Sequence, residues 1–145
     1  MVVAWRAVRI VDEEMRAYYD RRAREYDDWW HGTGLFEDRD RPGWAAETAE
    51  LVGVLTRLPP ARVLDVACGT GFLTQHLPGA VTCLDQSPSM LALAGSRLPG
   101  AELVRAEAIP LPFADSAFER VFAGHFYGHL EEPGRTAFLA EARRV

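Results

Sequence analysis

Cysteine is scarce in this chain: Cys68 and Cys83 are the only two in 145 residues. Neither belongs to a Cys-x-x-Cys pair or a metal-ligand cluster, which excludes a disulfide scaffold and a zinc module. Both read as reduced, small, buried residues, and no metal is expected. Long apolar runs are missing as well. No stretch approaches the roughly eighteen apolar residues of a membrane span, and Arg6 interrupts the apolar start before it reaches the length of a secretory signal. The cytoplasm is the expected location. An excess of positive charge is also absent. A net charge of −5 gives no electrostatic pull toward nucleic acid or anionic membrane, so neither is an expected partner. Internal repeats, linkers and low-complexity segments do not occur. What is present, 48% hydrophobic and 26% charged residues, suits one globular domain with a real core. Residues 1–145 are expected to form a single unit, with a helical cap over 1–60 and a core over 61–145.

Asp12 is placed to cap a helix running to about Trp29, with Met15, Tyr18, Tyr19, Arg22 and Tyr26 near one face. The stretch from Tyr18 to Trp30 is unusually aromatic. It reads either as a helix docking its rings on the core or as a lid over a ligand, and the two are compatible. After a loop with Gly32 and Gly34, Pro42 opens a second helix that Pro59-Pro60 ends. Strands are expected over 62–66, 80–84, 101–105 and 118–123, the last buried on both faces. Helices are expected over about 71–77, from Ser87-Pro88 to Leu98, and from Pro133-Gly134 to Val145. Strands alternating with helices argue an α/β, doubly wound parallel sheet, whose ligands lie beyond the carboxyl ends of the strands.

The segment Val63-Leu64-Asp65-Val66-Ala67-Cys68-Gly69-Thr70-Gly71 is the focus of that sheet. Gly69 and Gly71 permit positive φ and let a ligand approach bare backbone, while the expected helix behind them would aim free N–H groups at the same point. Asp85, twenty residues beyond Asp65, ends the next apolar run, where an acid usually holds a ribose. A nicotinamide site would want a third glycine where Thr74 stands.

Four further features follow in order: Asp85 with Ser87-Pro88-Ser89-Met90; Arg105-Ala106-Glu107-Ala108-Ile109; Pro110-Leu111-Pro112-Phe113; and Ser116-Ala117-Phe118 leading to Val121-Phe122. Together with the glycine turn, this series resembles the class I S-adenosylmethionine-dependent methyltransferases, in particular the small-molecule type with a Leu-Pro-Phe loop. The resemblance runs from about Tyr18 to the end. It implies a Rossmann-like sheet, S-adenosylmethionine as cofactor and methyl transfer to a small-molecule acceptor by in-line displacement. Asp65 would hold the methionine end, with the backbone of Ala67, Gly69 and Gly71 close by. Asp85 would accept the ribose hydroxyls, Gln86 and Met90 would border the adenine, and Glu107 with the Ala108 N–H would meet its edge. Tyr19 and Tyr26 match the family's N-terminal aromatic pattern and would cover the sulfonium. His125, Tyr127 and His129 occupy the loop where the family places acceptor-facing groups. Each is a candidate to orient an acceptor or take a proton; the alternative is a loop residue without a catalytic role.

The resemblance implies strands in the order 3-2-1-4, with the C-terminal half of the family sheet absent and the fourth strand left as a hydrophobic edge. Either the sequence is a fragment of a longer protein, or the edge is completed by a homodimer. Two functions follow: a methyltransferase, or a non-catalytic S-adenosylmethionine-binding module, including a half-enzyme completed by a partner chain.

Overall fold

The computed structural model describes residues 13–145, so the expected Asp12 cap lies outside the described residues. The N-terminal segment is α1 (Glu13–Arg22), a 3₁₀ turn (Ala23–Glu25) and the short α2 (Asp28–His31). The continuous helix expected here is therefore broken. Arg22 departs from helical backbone at ψ 3°, and the Trp29 and Trp30 N–H groups bond to the carbonyls of Tyr26 and Asp27. α3 (Trp44–Thr56) follows, preceded by Gly43 in the left-handed region at φ 83°.

The sheet consists of β1 (Ala61–Val66), β2 (Gly79–Asp85), β3 (Glu102–Arg105) and β4 (Arg120–Phe122), all parallel, in the order β3-β2-β1-β4. β1 is central, and its Val63, Leu64, Asp65 and Val66 are all buried. Leu64 and Val66 join Leu84, Phe126, Leu130 and Phe138 in one core cluster, which α5 (Glu132–Arg144) covers. Val63 joins Leu55, Leu73, Leu77 and Trp30 in the other, under α3. Alternating side chains thus feed two cores on opposite faces, each buried Leu or Val contributing about 1.5–3 kcal/mol. The β1–β2 register, with Ala61 opposite Gly79 and Asp65 opposite Cys83, depends on a glycine. Gly79 has φ 110°, and a Cβ there would lie 2.0 Å from the Ala61 carbonyl oxygen.

Two further sequence expectations need correction. β4 is three residues long and only half-buried, because it pairs with β1 on one side and is an edge of the described sheet. The segment after the glycine turn is not a helix over 71–77 but a single 3₁₀ turn, Thr74–His76. Gln75 N bonds back to Gly71 O in α fashion, but His76 and Leu77 bond three residues back, and Pro78 then stops the chain. A helix dipole therefore adds nothing to the cradle; its N–H groups belong to the turn itself. β2 leads into α4 (Pro88–Arg97), where Ser87 Oγ accepts the Met90 N–H at 3.2 Å as the N-cap, as its Ser-Pro sequence implies.

Candidate cofactor cavity

The carboxyl ends of β1, β2 and β3 turn away from the sheet into loops that share one cavity of about 440 Å³. The turn after β1 is tightly curled. Ala67 and Gly69 both have φ 57°, a conformation costly for alanine, so the backbone bends back on either side of Cys68. Cys68 N–H bonds to Leu84 O at 3.0 Å, which ties the turn to the end of β2. A Cβ added to Gly69 would point at Tyr26 Cε1, 3.6 Å away, so the space beside this glycine lies between the turn and an aromatic ring.

Two carboxylates stand beside that turn. Asp85 Oδ2 accepts the Gly69 N–H at 3.0 Å and Oδ1 accepts the Ser87 N–H at 2.9 Å, which orients the group and leaves its other lone pairs toward the cavity. Burial raises its pKa, and the backbone donors oppose that rise. Asp65 is 2% exposed and accepts the Thr74 hydroxyl at 2.6 Å. Burial pushes its pKa up to about 7, against the pull of the Thr74 hydrogen bond, with the Asp85 charge adding to the rise. It opens onto a smaller recess of about 30 Å³ that shares Tyr26, Ala67, Gly69 and His125 with the main cavity. An acid this buried, with one hydroxyl partner, is a site prepared for a cation.

Most of the residues singled out in the sequence come together here. Tyr19, Tyr26, Ala67, Gly69, Asp85, Gln86, Met90, Glu107, Ala108, His125 and His129 line the main cavity, and Asp65 lines the recess. Two stand apart. Gly71 lines neither space; a Cβ there would meet Leu98 Cδ1 at 3.2 Å and Ala94 at 3.4 Å, so this glycine lets α4 pack against the turn. Tyr127 is exposed and lies against Phe138 and Arg135. His125 sits edge-on to Trp30 with ring centroids 4.9 Å apart. Desolvation and the neighbouring His129 lower its pKa, which favours the neutral imidazole. The tyrosines are edge-on to one another at 6.1 Å, and burial pushes the Tyr26 hydroxyl up to about 12, so it stays protonated.

Sequence reading missed Met15, Ser87, Ile109, Phe126 and Leu130 on the wall, and Thr74 behind Asp65. Thr74 had a legible signal, a hydroxyl nine residues after the strand acid, but served only to argue against a third glycine.

A methyltransferase-domain family profile matches residues 63–145, more than half of the chain, from within β1 through α5. The chain belongs to the methyltransferase-domain family. It is 32% identical over 136 residues to a demethylmenaquinone methyltransferase of Renibacterium salmoninarum, covering 92% of this chain and 54% of that protein. It is 40% identical over 94 residues to a phthiotriol/phenolphthiotriol dimycocerosates methyltransferase of Mycobacterium leprae, covering 58% and 33%. Among solved structures, the DhpI–SAM–HEP complex superposes with a TM-score of 0.69 at 28% identity, covering 90% of this chain and 58% of that one. An S-adenosylmethionine-dependent methyltransferase of Thermotoga maritima, described as a possible histamine N-methyltransferase, gives 0.67 at 25%, covering 90% and 56%. The fold is that of a class I S-adenosylmethionine-dependent methyltransferase domain. The chain spans about half the length of the first of these curated relatives and a third of the second.

Proposed function

We propose that this methyltransferase domain binds S-adenosylmethionine and serves methyl transfer to a small-molecule acceptor. The observation that carries the reading is the pair of buried carboxylates, Asp65 and Asp85, on either side of one bare glycine turn. Asp65 would meet the cofactor's ammonium, and the backbone at Ala67 and Gly69 its methionine portion. Asp85 would accept the ribose hydroxyls, with Gln86, Met90, Glu107 and Ala108 around the adenine. When bound, the cofactor supplies a methyl group already activated by a sulfonium, so the protein's task is chiefly alignment and water exclusion. Tyr19 and Tyr26 serve both, since aromatic faces attract a cation and shed water. His125 borders both spaces and is held toward its neutral form, so it is the better candidate to take an acceptor proton; His129 lies on the same wall, and Tyr127 faces away. The remaining wall from Ile109, Phe126, Leu130 and Met15 is apolar, which suits a neutral acceptor with hydrocarbon character. The two curated relatives, named a demethylmenaquinone methyltransferase and a phthiotriol/phenolphthiotriol dimycocerosates methyltransferase, support a small-molecule acceptor.

Calorimetric titration with S-adenosylhomocysteine tests the reading directly: one site per chain is expected, and no heat at millimolar ligand would overturn it. We further propose that the β4 edge of the described sheet is open to pairing with a second copy of the chain. Light scattering checks that part, since a monodisperse monomer would rule out the homodimer. The location proposed is the cytoplasm, consistent with two free cysteines. No helix among the described residues is long and apolar enough to cross a membrane. The acidic balance gives nucleic acid no support as a partner.

A further inference from the structure

α1 supplies Met15 and Tyr19 to the cavity wall, and the chain just after it supplies Tyr26. Yet none of its ten residues is buried, and Met15 and Tyr18 are among the most exposed large apolar side chains. A helix that hides so little apolar surface is held weakly by the hydrophobic effect, and ten residues do not make a stable helix alone. Past α1, Ala23 is the one buried residue before Asp27, and polar contacts supply the rest of the fastening, at two points. Asp20 Oδ1 accepts the Ser87 hydroxyl at 2.6 Å and the Ser89 N–H at 3.1 Å. Asp27 accepts the Thr70 hydroxyl at 2.5 Å and pairs with Arg97 Nη2, while Arg97 Nη1 donates to the Thr70 carbonyl at 2.7 Å.

Both attachments end on the loops that build the cavity. Ser87 is the residue whose N–H orients Asp85, and Thr70 lies in the turn between Gly69 and Gly71. Beyond Asp27 the chain is anchored differently, by Trp30 stacked on Phe72 at 5.0 Å. The segment 13–26 is therefore tied down at its middle and at its far end by charge-assisted hydrogen bonds. The Arg97 and Asp27 side chains are 27% and 23% exposed, open enough for salt to weaken the pair.

We infer that Asp20, Asp27 and Arg97 are positioning residues that pin the aromatic segment 13–26 as a cover over the bound cofactor, and that release requires these pins to open. The inference rests on the cofactor reading above, so its test has one arm without ligand and one with it. In the ligand-free protein, Asp20→Asn and Asp27→Asn are expected to speed amide hydrogen exchange over residues 13–26 and leave β1 and β2 unchanged. In the second arm, stopped-flow release of S-adenosylhomocysteine should accelerate roughly tenfold or more in Asp27→Asn and Arg97→Gln, the scale of one lost charge-assisted pair. Association should change less. Added salt should speed release from the unmodified chain but not from Asp27→Asn. Asp38→Asn, which removes an equal charge from an exposed site, should match the unmodified chain. Unchanged exchange over 13–26, exchange raised equally throughout the sheet, or unchanged release would each overturn the inference while leaving the cofactor reading in place. Absence of binding by the unmodified chain would overturn both.

Discussion

Asp65 is expected to be neutral in the empty protein below about pH 7, because burial opposes its charge more than the Thr74 hydroxyl supports it. A cationic ligand group reverses that balance, so binding below pH 7 should expel a proton. Calorimetry in two buffers of different ionisation enthalpy will show it, as a heat difference that disappears above neutrality and in Asp65→Asn. The effect on stability has the opposite sign from an ordinary salt-bridged carboxylate. A raised folded-state pKa means the native chain holds more protons than the unfolded one between about pH 4 and 7, so the Asp65 contribution falls as pH rises through that window. Asp65→Asn should therefore raise the melting temperature of the empty protein, more at pH 8 than at pH 5, while removing affinity. Thr74→Val should move the binding midpoint to higher pH and cost about 1–3 kcal/mol for the unsatisfied acceptor. The two turn glycines also separate at this scale. Gly69→Ala and Gly71→Ala should each lose about 1–2 kcal/mol of stability from a left-handed backbone, measurable by urea unfolding. Gly69→Ala alone should further weaken the ligand, since its Cβ enters the cavity and the Gly71 Cβ meets α4.

At the scale of elements, the strands and the glycine turn were legible in sequence because their causes are local: apolar runs, turn glycines and a Ser-Pro cap. The missed features are contacts across the chain. Ser87 reaches Asp20 over 67 positions and Arg97 reaches Asp27 over 70, and no local pattern marks such partners. The two over-read elements failed for a shared reason. The helix after the turn and the full length of β4 had good local composition, but Pro78 shortened one and a single paired edge shortened the other. α5 offers a prediction of its own. Arg144 Nη2 donates to Leu111 O at 2.9 Å, Nη1 donates to Phe113 O at 2.7 Å, and Glu141 Oε2 accepts the Leu111 N–H at 2.8 Å. These bonds hold the loop that starts from Glu107 and Ala108, and the two partners support each other's charge, Glu141 shifted down and Arg144 up. Arg144→Ala should give faster amide exchange over 111–116 and weaker adenosine binding, with β1 and β2 protection retained.

For the whole molecule, the parallel sense was legible in the alternation of strands with helices, and the strand order in the resemblance to the methyltransferases rather than in any spacing. The β4 edge and the exposed Val54 and Leu139 were less legible, since exposure depends on tertiary packing and not on local composition. The strand loops that line the cavity all leave the carboxyl ends of the strands, so the opposite rim of the sheet carries none of the site. Gly100 lies on that rim, before β3, and a Cβ added there meets nothing within 4 Å. The sequence contains no lysine side chain for amine coupling. Cys83 is fully buried, and its hydrogen bond with Cys68, together with burial and the neighbouring acidic groups, pushes the Cys68 thiol up, away from its reactive thiolate. A cysteine introduced as Gly100→Cys would thus give a selective attachment point for a surface or a dye, from which the domain would hang with its ligand mouth facing outward.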